Sequence, residues 1–172
     1  MHRAENTAAD VLPDLLRGLA KVAEHHPICW PLHPRTRKMM EELRLPVPPR
    51  IHVLPPLGYL DMQALLSSAR ALLTDSGGLQ EEAYAVGTPV LVLRAETEWT
   101  YLVESGCAAL CGNRAATLVP RALALLQDDG IAGMRAAAAA YARSADDGNA
   151  AARIVAAIKD RIRPAPKAAQ GL

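Results

Sequence analysis

The residues best suited to chemistry lie in one run. Leu72-Leu73 lead into Thr74-Asp75, Ser76-Gly77-Gly78 follow, and Glu81-Glu82 come shortly after the start of a predicted helix. That order suits a phosphate. Glycine lets backbone approach a ligand closely, and the N–H groups opening a helix attract anions. A carboxylate one turn into the helix offers two oxygens to sugar hydroxyls. Taken alone, Ser76, Gly77 and Gly78 have two readings. They are a pyrophosphate cradle with the Ser76 hydroxyl and backbone N–H groups as donors, or a plain turn in which Ser76 caps the helix. Glu81 and Glu82 are either ligands or carboxylates placed where the helix dipole favours them. Arg94 follows the apolar stretch Pro89–Leu93, where binding residues collect, or it pairs with Glu96 or Glu98.

These residues need a scaffold, and the pattern supplies one by alternating helix and strand. Asp10–His25 is predicted as a helix, with Pro13 in its first turn and Leu15, Leu16, Leu19, Val22 and Ala23 on one face. Strands are expected at Ile28–Leu32, Ile51–Leu54, Ala71–Thr74, Pro89–Leu93 and Ala108–Cys111. Helices are expected at Pro34–Leu43, Asp61–Ala69, Gly78–Val86 closed by Gly87, and Tyr101–Glu104. Further helices follow at Ala115–Gln127, Met134–Arg143 and Asn149–Ile162. Repeated β-α units with short loops imply an α/β fold, a Rossmann-like doubly wound parallel sheet, whose ligands lie outside the carboxyl ends of the strands. Ser76–Gly78 lie at such an end. Residues 1–163 are expected as one domain, and 164–172, with Pro164 and Pro166, as a disordered tail.

Composition narrows the function. The 172 residues carry a net charge of +1, 51% hydrophobic and 22% charged residues, so the chain is long enough to bury a core. No basic field argues for nucleic acid, and no polybasic block for a membrane surface. Phe is absent and aromatics are 3%, which disfavours base-stacking platforms. Cys29, Cys107 and Cys111 form no CxxC and read as free thiols of a reducing compartment. No apolar run is long enough to span a bilayer, and the start is no signal peptide, so cytoplasm is expected. No metal-ligand spacing is present, and neither a metal nor another cofactor is expected.

Several motifs together resemble one family. The run at Asp75–Glu82, with Gly87-Thr88-Pro89 through Arg94 and Glu96-Thr97-Glu98-Trp99, is similar to the C-terminal domain of non-hydrolysing UDP-N-acetylglucosamine 2-epimerases. So are His2-Arg3-Ala4-Glu5-Asn6, Pro31-Leu32-His33-Pro34-Arg35-Thr36-Arg37 and Pro56-Leu57-Gly58-Tyr59-Leu60-Asp61. The resemblance runs from about His2 to about Arg161. It implies the C-terminal half of a two-domain, glycosyltransferase-B-like fold. In the family the His-Arg-x-Glu-Asn signature follows the first strand of this domain. Here it begins at residue 2, so that strand and the N-terminal domain are expected to be missing. A less stable fold, or a homodimer covering exposed strand edges, follows as an expectation.

The resemblance also distributes roles. It implies that Glu82 holds the ribose hydroxyls of UDP, that His2 is catalytic, and that His33 lies at the nucleotide-sugar cleft. His33 is equally a structural turn histidine. Tyr59, Leu60 and Met62 resemble the segment beside uracil, or they pack as an amphipathic helix. Asp146-Asp147-Gly148-Asn149 resembles a family loop, or supplies a helix N-cap. Trp99 stands where arginine is common, and Tyr101 where a carboxylate is frequent. The family reaction interconverts UDP-N-acetylglucosamine and UDP-N-acetylmannosamine. UDP leaves C1 as the C2 proton is removed, and both return with the proton on the other face. The acid/base carboxylates come from the N-terminal domain, so the chain is expected to bind UDP or UDP-N-acetylglucosamine and to need a separate polypeptide for activity. A UDP-sugar-binding regulatory module and a glycosyltransferase donor-binding domain are the alternatives.

Overall fold

The computed structural model describes residues 1–145 and 149–162. The predicted tail at 164–172 and residues 146–148 of the Asp146–Asn149 run lie outside the described residues. The strands are β1 (Ile28–Pro31), β2 (Ile51–Leu54), β3 (Leu72–Thr74), β4 (Val90–Val92) and β5 (Ala108–Leu110). The helices are α1 (Ala4–Thr7), α2 (Leu12–Ala23), α3 (Pro34–Glu42), α4 (Tyr59–Ser68), α5 (Gly77–Ala85), α6 (Thr100–Glu104), α7 (Ala115–Leu125), α8 (Asp128–Ala145) and α9 (Ala150–Ile162). All ladder pairings are parallel, as helical crossovers require. Ile28 is opposite Ile51, and Leu72 is opposite Val90, which in turn is opposite Ala108.

The strands form two separate sheets, β1-β2 and β3-β4-β5. β1 and β3 do not pair, which is where the α/β pattern is interrupted. The rest is doubly wound, and β4 shows why. Its side chains alternate between two cores. Leu91 and Leu93 join the cluster formed with α2, α3 and α7, whereas Val90 and Val92 join the cluster of Leu66, Ala83, Leu102 and Ala138 from α4, α5, α6 and α8. A strand covered on both faces must be apolar throughout, and all of β4 is buried.

Two local features hold the frame around the site. α2 packs tightly on α7 because Gly18 has no side chain. A Cβ there would lie 3.1 Å from both the Ala115 Cα and the Leu118 Cδ2. Asp14 of α2 also accepts from the Ala115 N–H at the start of α7. α5 ends at Gly87, whose φ of +75° favours glycine, and the Thr88 N–H closes the helix on the Ala83 carbonyl at 2.8 Å. α9 is amphipathic, but Ile154, Val155, Ile158 and Ile162 are all exposed.

Candidate functional site

Asp75 is the hub of the site. It follows β3, is fully buried, and accepts from the backbone N–H of His2 at 2.9 and 3.1 Å and of Arg3 at 3.0 Å. The Asn6 side-chain amide donates to it at 3.1 Å and to the Leu93 carbonyl at 2.9 Å. Asn113 in turn donates to Asn6 Oδ1. The Met1 ammonium is 3.7 Å from Asp75. Burial by itself would raise the Asp75 pKa. The ammonium and the N–H donors of Arg3 and His2 outweigh it, and the carboxyl is held below its ordinary 3.8. The short helix α1 is thereby tied to the carboxyl ends of β3 and β4. Asp75 and Asn6 both stand inside the quoted motifs, yet their contact spans 69 residues and no local pattern marks it.

A pocket of about 290 Å³ opens beside this hub, walled by Met1, His2, Pro31, His33, Pro56, Leu57, Met62, Ser76 and Leu79. The chain thus brings His2, His33, Met62 and Ser76 together at the carboxyl ends of β1, β2 and β3. The His2 and His33 rings stand 5.3 Å apart, tilted by 34°. His33 also caps α3, its Nδ1 accepting from the Arg35 N–H at 3.1 Å, so in the neutral ring the proton resides on Nε2. The turn role of His33 and its place at the pocket therefore coexist. Burial lowers the His2 pKa below 6.5, with the Met1 ammonium, His33 and Arg3 acting in the same direction and Asp75 opposing. The expected result is an imidazole that NMR titrates with a midpoint below 6.5, neutral at pH 7. A midpoint above 6.5 would mean that Asp75 dominates its environment.

The floor of the site is the start of α5. Ser76 caps it, its Oγ accepting from the Leu79 N–H at a long 3.5 Å, while the Ser76 N–H is turned back to Thr74 Oγ1. Ser76 is thus the predicted cap as well as a pocket wall. The N–H groups of Gly77 and Gly78, in the first turn, have no partner within the helix. A Cβ on Gly77 would lie 3.1 Å from the Trp99 Nε1, whereas one on Gly78 would have nothing within 4 Å. Protein packing explains the first glycine and not the second.

The other predicted residues are placed less centrally. Glu82 is half-buried and accepts from Gln63 Nε2 of α4 at 2.8 Å. Glu81 accepts from the Tyr101 hydroxyl at 2.7 Å, which gives Tyr101 a role without a carboxylate. Arg94 is buried and donates to Glu5 at 2.9 Å and Glu98 at 2.8 Å, so the predicted pairing with Glu98 is present, and Arg3 extends it by donating to Glu98 at 3.0 Å. Tyr59 opens α4 and is 68% exposed, away from the pocket wall that Met62 supplies.

Residues 1–159 match the family model described as UDP-N-acetylglucosamine 2-epimerase. The chain belongs to that family. Among the epimerase relatives, a probable UDP-N-acetylglucosamine 2-epimerase of Ralstonia nicotianae is 39% identical over 166 residues, covering 92% of this chain and 42% of that protein. A UDP-2,3-diacetamido-2,3-dideoxy-D-glucuronate 2-epimerase of Pseudomonas aeruginosa is 40% identical over 136 residues, covering 76% of this chain and 38% of its own length. The crystal structure of the Neisseria meningitidis UDP-GlcNAc 2-epimerase bound to UDP-GlcNAc superposes with a TM-score of 0.73 at 29% identity, over 92% of this chain and 43% of that one. The epimerase-family chain therefore spans about two-fifths of the length of the relatives it matches. No helix among the described residues is long and apolar enough to cross a membrane.

Proposed function

We propose that this chain is the nucleotide-binding half of a UDP-sugar 2-epimerase, with residues 1–163 as the binding domain. The observation that carries the reading is the convergence of His2, His33, Met62 and Ser76 on one pocket beside the free N–H groups of a helix start. The pyrophosphate lies over Gly77 and Gly78 with Ser76 beside it, where the helix dipole is positive. Glu82 reaches the ribose hydroxyls with the oxygen that Gln63 leaves free. Met62 and, on rearrangement of its exposed ring, Tyr59 flank the uracil. Arg94 holds the loop of Glu98 in place beneath the phosphates, and His2 and His33 face the sugar.

Moving a proton at C2 of the sugar needs an acid and a base. No carboxylate lines the pocket among the described residues, and Asp75 is sealed by its own hydrogen bonds. The proton-transferring groups therefore come from a second domain, and the chain by itself binds without turning over. The relatives include an enzyme for a different UDP-sugar, which agrees with recognition centred on UDP.

Calorimetric titration with UDP and with UDP-N-acetylglucosamine tests the reading. Both are expected to bind at micromolar to millimolar levels, roughly −8 to −4 kcal/mol. Glu82→Ala is expected to weaken both while leaving the melting temperature unchanged. A folded chain that binds neither, or that epimerises UDP-N-acetylglucosamine unaided, would overturn it.

A further inference from the structure

Glu82 has a partner that stands outside every motif quoted above. Gly78 and Glu82 are four residues apart, so they lie on one side of α5, one turn or about 5.4 Å from each other. That side is open at Gly78, where a Cβ would have nothing within 4 Å. One turn is about the reach from a phosphate through C5′ to the hydroxyls of its ribose. α4 packs beside α5. On α4, Tyr59 and Gln63 are likewise four apart, and Met62 between them walls the nucleotide pocket. Gln63 Nε2 donates to Glu82 Oε2 at 2.8 Å, and both side chains are half-buried.

Chemistry fixes the direction of this bond. A carboxylate only accepts, so the Gln63 amide turns its NH2 group to Glu82 and its Oε1 away. Neither Glu82 Oε1 nor Gln63 Oε1 has a partner among the described residues. The pair thus presents two unoccupied acceptor oxygens, which suit the two O–H donors of a cis-diol. The two helices do not need the bond to stay together. Leu66 of α4 and Ala83 of α5 share a buried apolar cluster, and Thr88, just past α5, donates to the Leu66 carbonyl at 2.8 Å. What the bond does is restrict Glu82, whose unbranched side chain would otherwise lose its rotamer freedom when a ligand binds.

We propose that Gln63 is a positioning residue for the ribose. It presets the Glu82 carboxylate for the 2′ and 3′ hydroxyls, and so sets the preference of the site for ribonucleotides over deoxyribonucleotides. The inference rests on the nucleotide reading above and adds a specificity-determining residue to it.

The test is calorimetric titration of the full chain with UDP, 2′-deoxy-UDP and 2′,3′-dideoxy-UDP. The wild-type chain should bind UDP most tightly and the dideoxy form least. Gln63→Met keeps the side-chain length and removes the donor. It should weaken UDP by about fivefold or more while leaving dideoxy-UDP within about twofold, since only the contact made through Glu82 is lost. Gln63→Glu sets a second carboxylate against Glu82 and should lose at least as much of the ribose preference. In a Glu82→Ala background, Gln63→Met should add nothing, as expected of a residue that acts through another. Retained dideoxy-UDP binding shows that each variant is folded. Equal weakening of UDP and dideoxy-UDP in Gln63→Met would make Gln63 a part of the fold and not of ribose recognition. A full ribose preference in Gln63→Met, with that preference lost in Glu82→Ala, would leave the nucleotide reading standing and remove Gln63 from it. A wild-type chain that binds UDP and dideoxy-UDP equally would take Glu82 off the ribose and the proposal with it.

Discussion

Asp75→Asn lowers the stability of the folded chain by about 3 kcal/mol, the scale of breaking a buried ion pair on one side. The carboxylate accepts from His2, Arg3 and Asn6 and faces the Met1 ammonium with no exposure to water. An amide keeps one acceptor oxygen and turns an NH2 group toward donors that already point inward, leaving buried donors unpaired. Thermal unfolding should shift down by roughly 6–12 °C for a chain of this size. The pH profile gives a second check. The folded pKa of Asp75 is lower than its unfolded value near 3.8, so the unfolded chain binds the proton more readily. Its stabilisation is present above that value and is lost as pH falls through the folded pKa. Wild-type stability should therefore drop below about pH 4 on this account, and Asp75→Asn should flatten that limb. A melting shift of under two degrees with the acid limb intact would remove Asp75 from the centre of the site.

That hub also marks the boundary of what the sequence could disclose. β4 is legible because Pro89–Leu93 is apolar without a break, and only a strand covered on both faces needs that. The cap at Ser76 and the stop at Gly87 are legible because both are local, each set by hydrogen bonds spanning a few residues. α1 is not, because four residues make one turn and carry no period; its helical form depends on Asp75, which orders the Arg3 N–H from far along the chain. The stretch predicted as a helix from Met134 starts instead at Asp128. Acidic residues at 128 and 129 suit the first turn, and a Cβ at Gly130 would lie only 2.6 Å from the Leu125 carbonyl oxygen, so the turn needs glycine there. The sequence pattern implies one doubly wound sheet, whereas the structure divides the strands into β1-β2 and β3-β4-β5. The sequence leaves Arg94 open between ligand and ion pair; its pairing with Glu98 is local, but its second partner, Glu5, lies 89 residues away, beyond any spacing rule.

Gly78 separates a binding site from a turn more sharply than any other position. At Gly77 the protein itself needs glycine, since a methyl group would press on the Trp99 indole at 3.1 Å. Gly77→Ala is therefore expected to lower stability, and any loss of binding there would be ambiguous. At Gly78 a methyl group meets open space, and alanine is the better helix former by up to about 1 kcal/mol. On protein grounds Gly78→Ala is neutral or mildly stabilising. If the pyrophosphate lies over the first turn of α5, the same methyl group occupies the ligand's approach to the Gly77 and Gly78 N–H groups, which have no helical partner. UDP affinity should then fall by at least about tenfold, or 1.4 kcal/mol, while the melting temperature holds or rises. Calorimetry and thermal unfolding on the same variant give both readings. Unchanged UDP affinity in Gly78→Ala would move the diphosphate off this helix start and reduce Ser76-Gly77-Gly78 to the capped turn that Ser76 already makes.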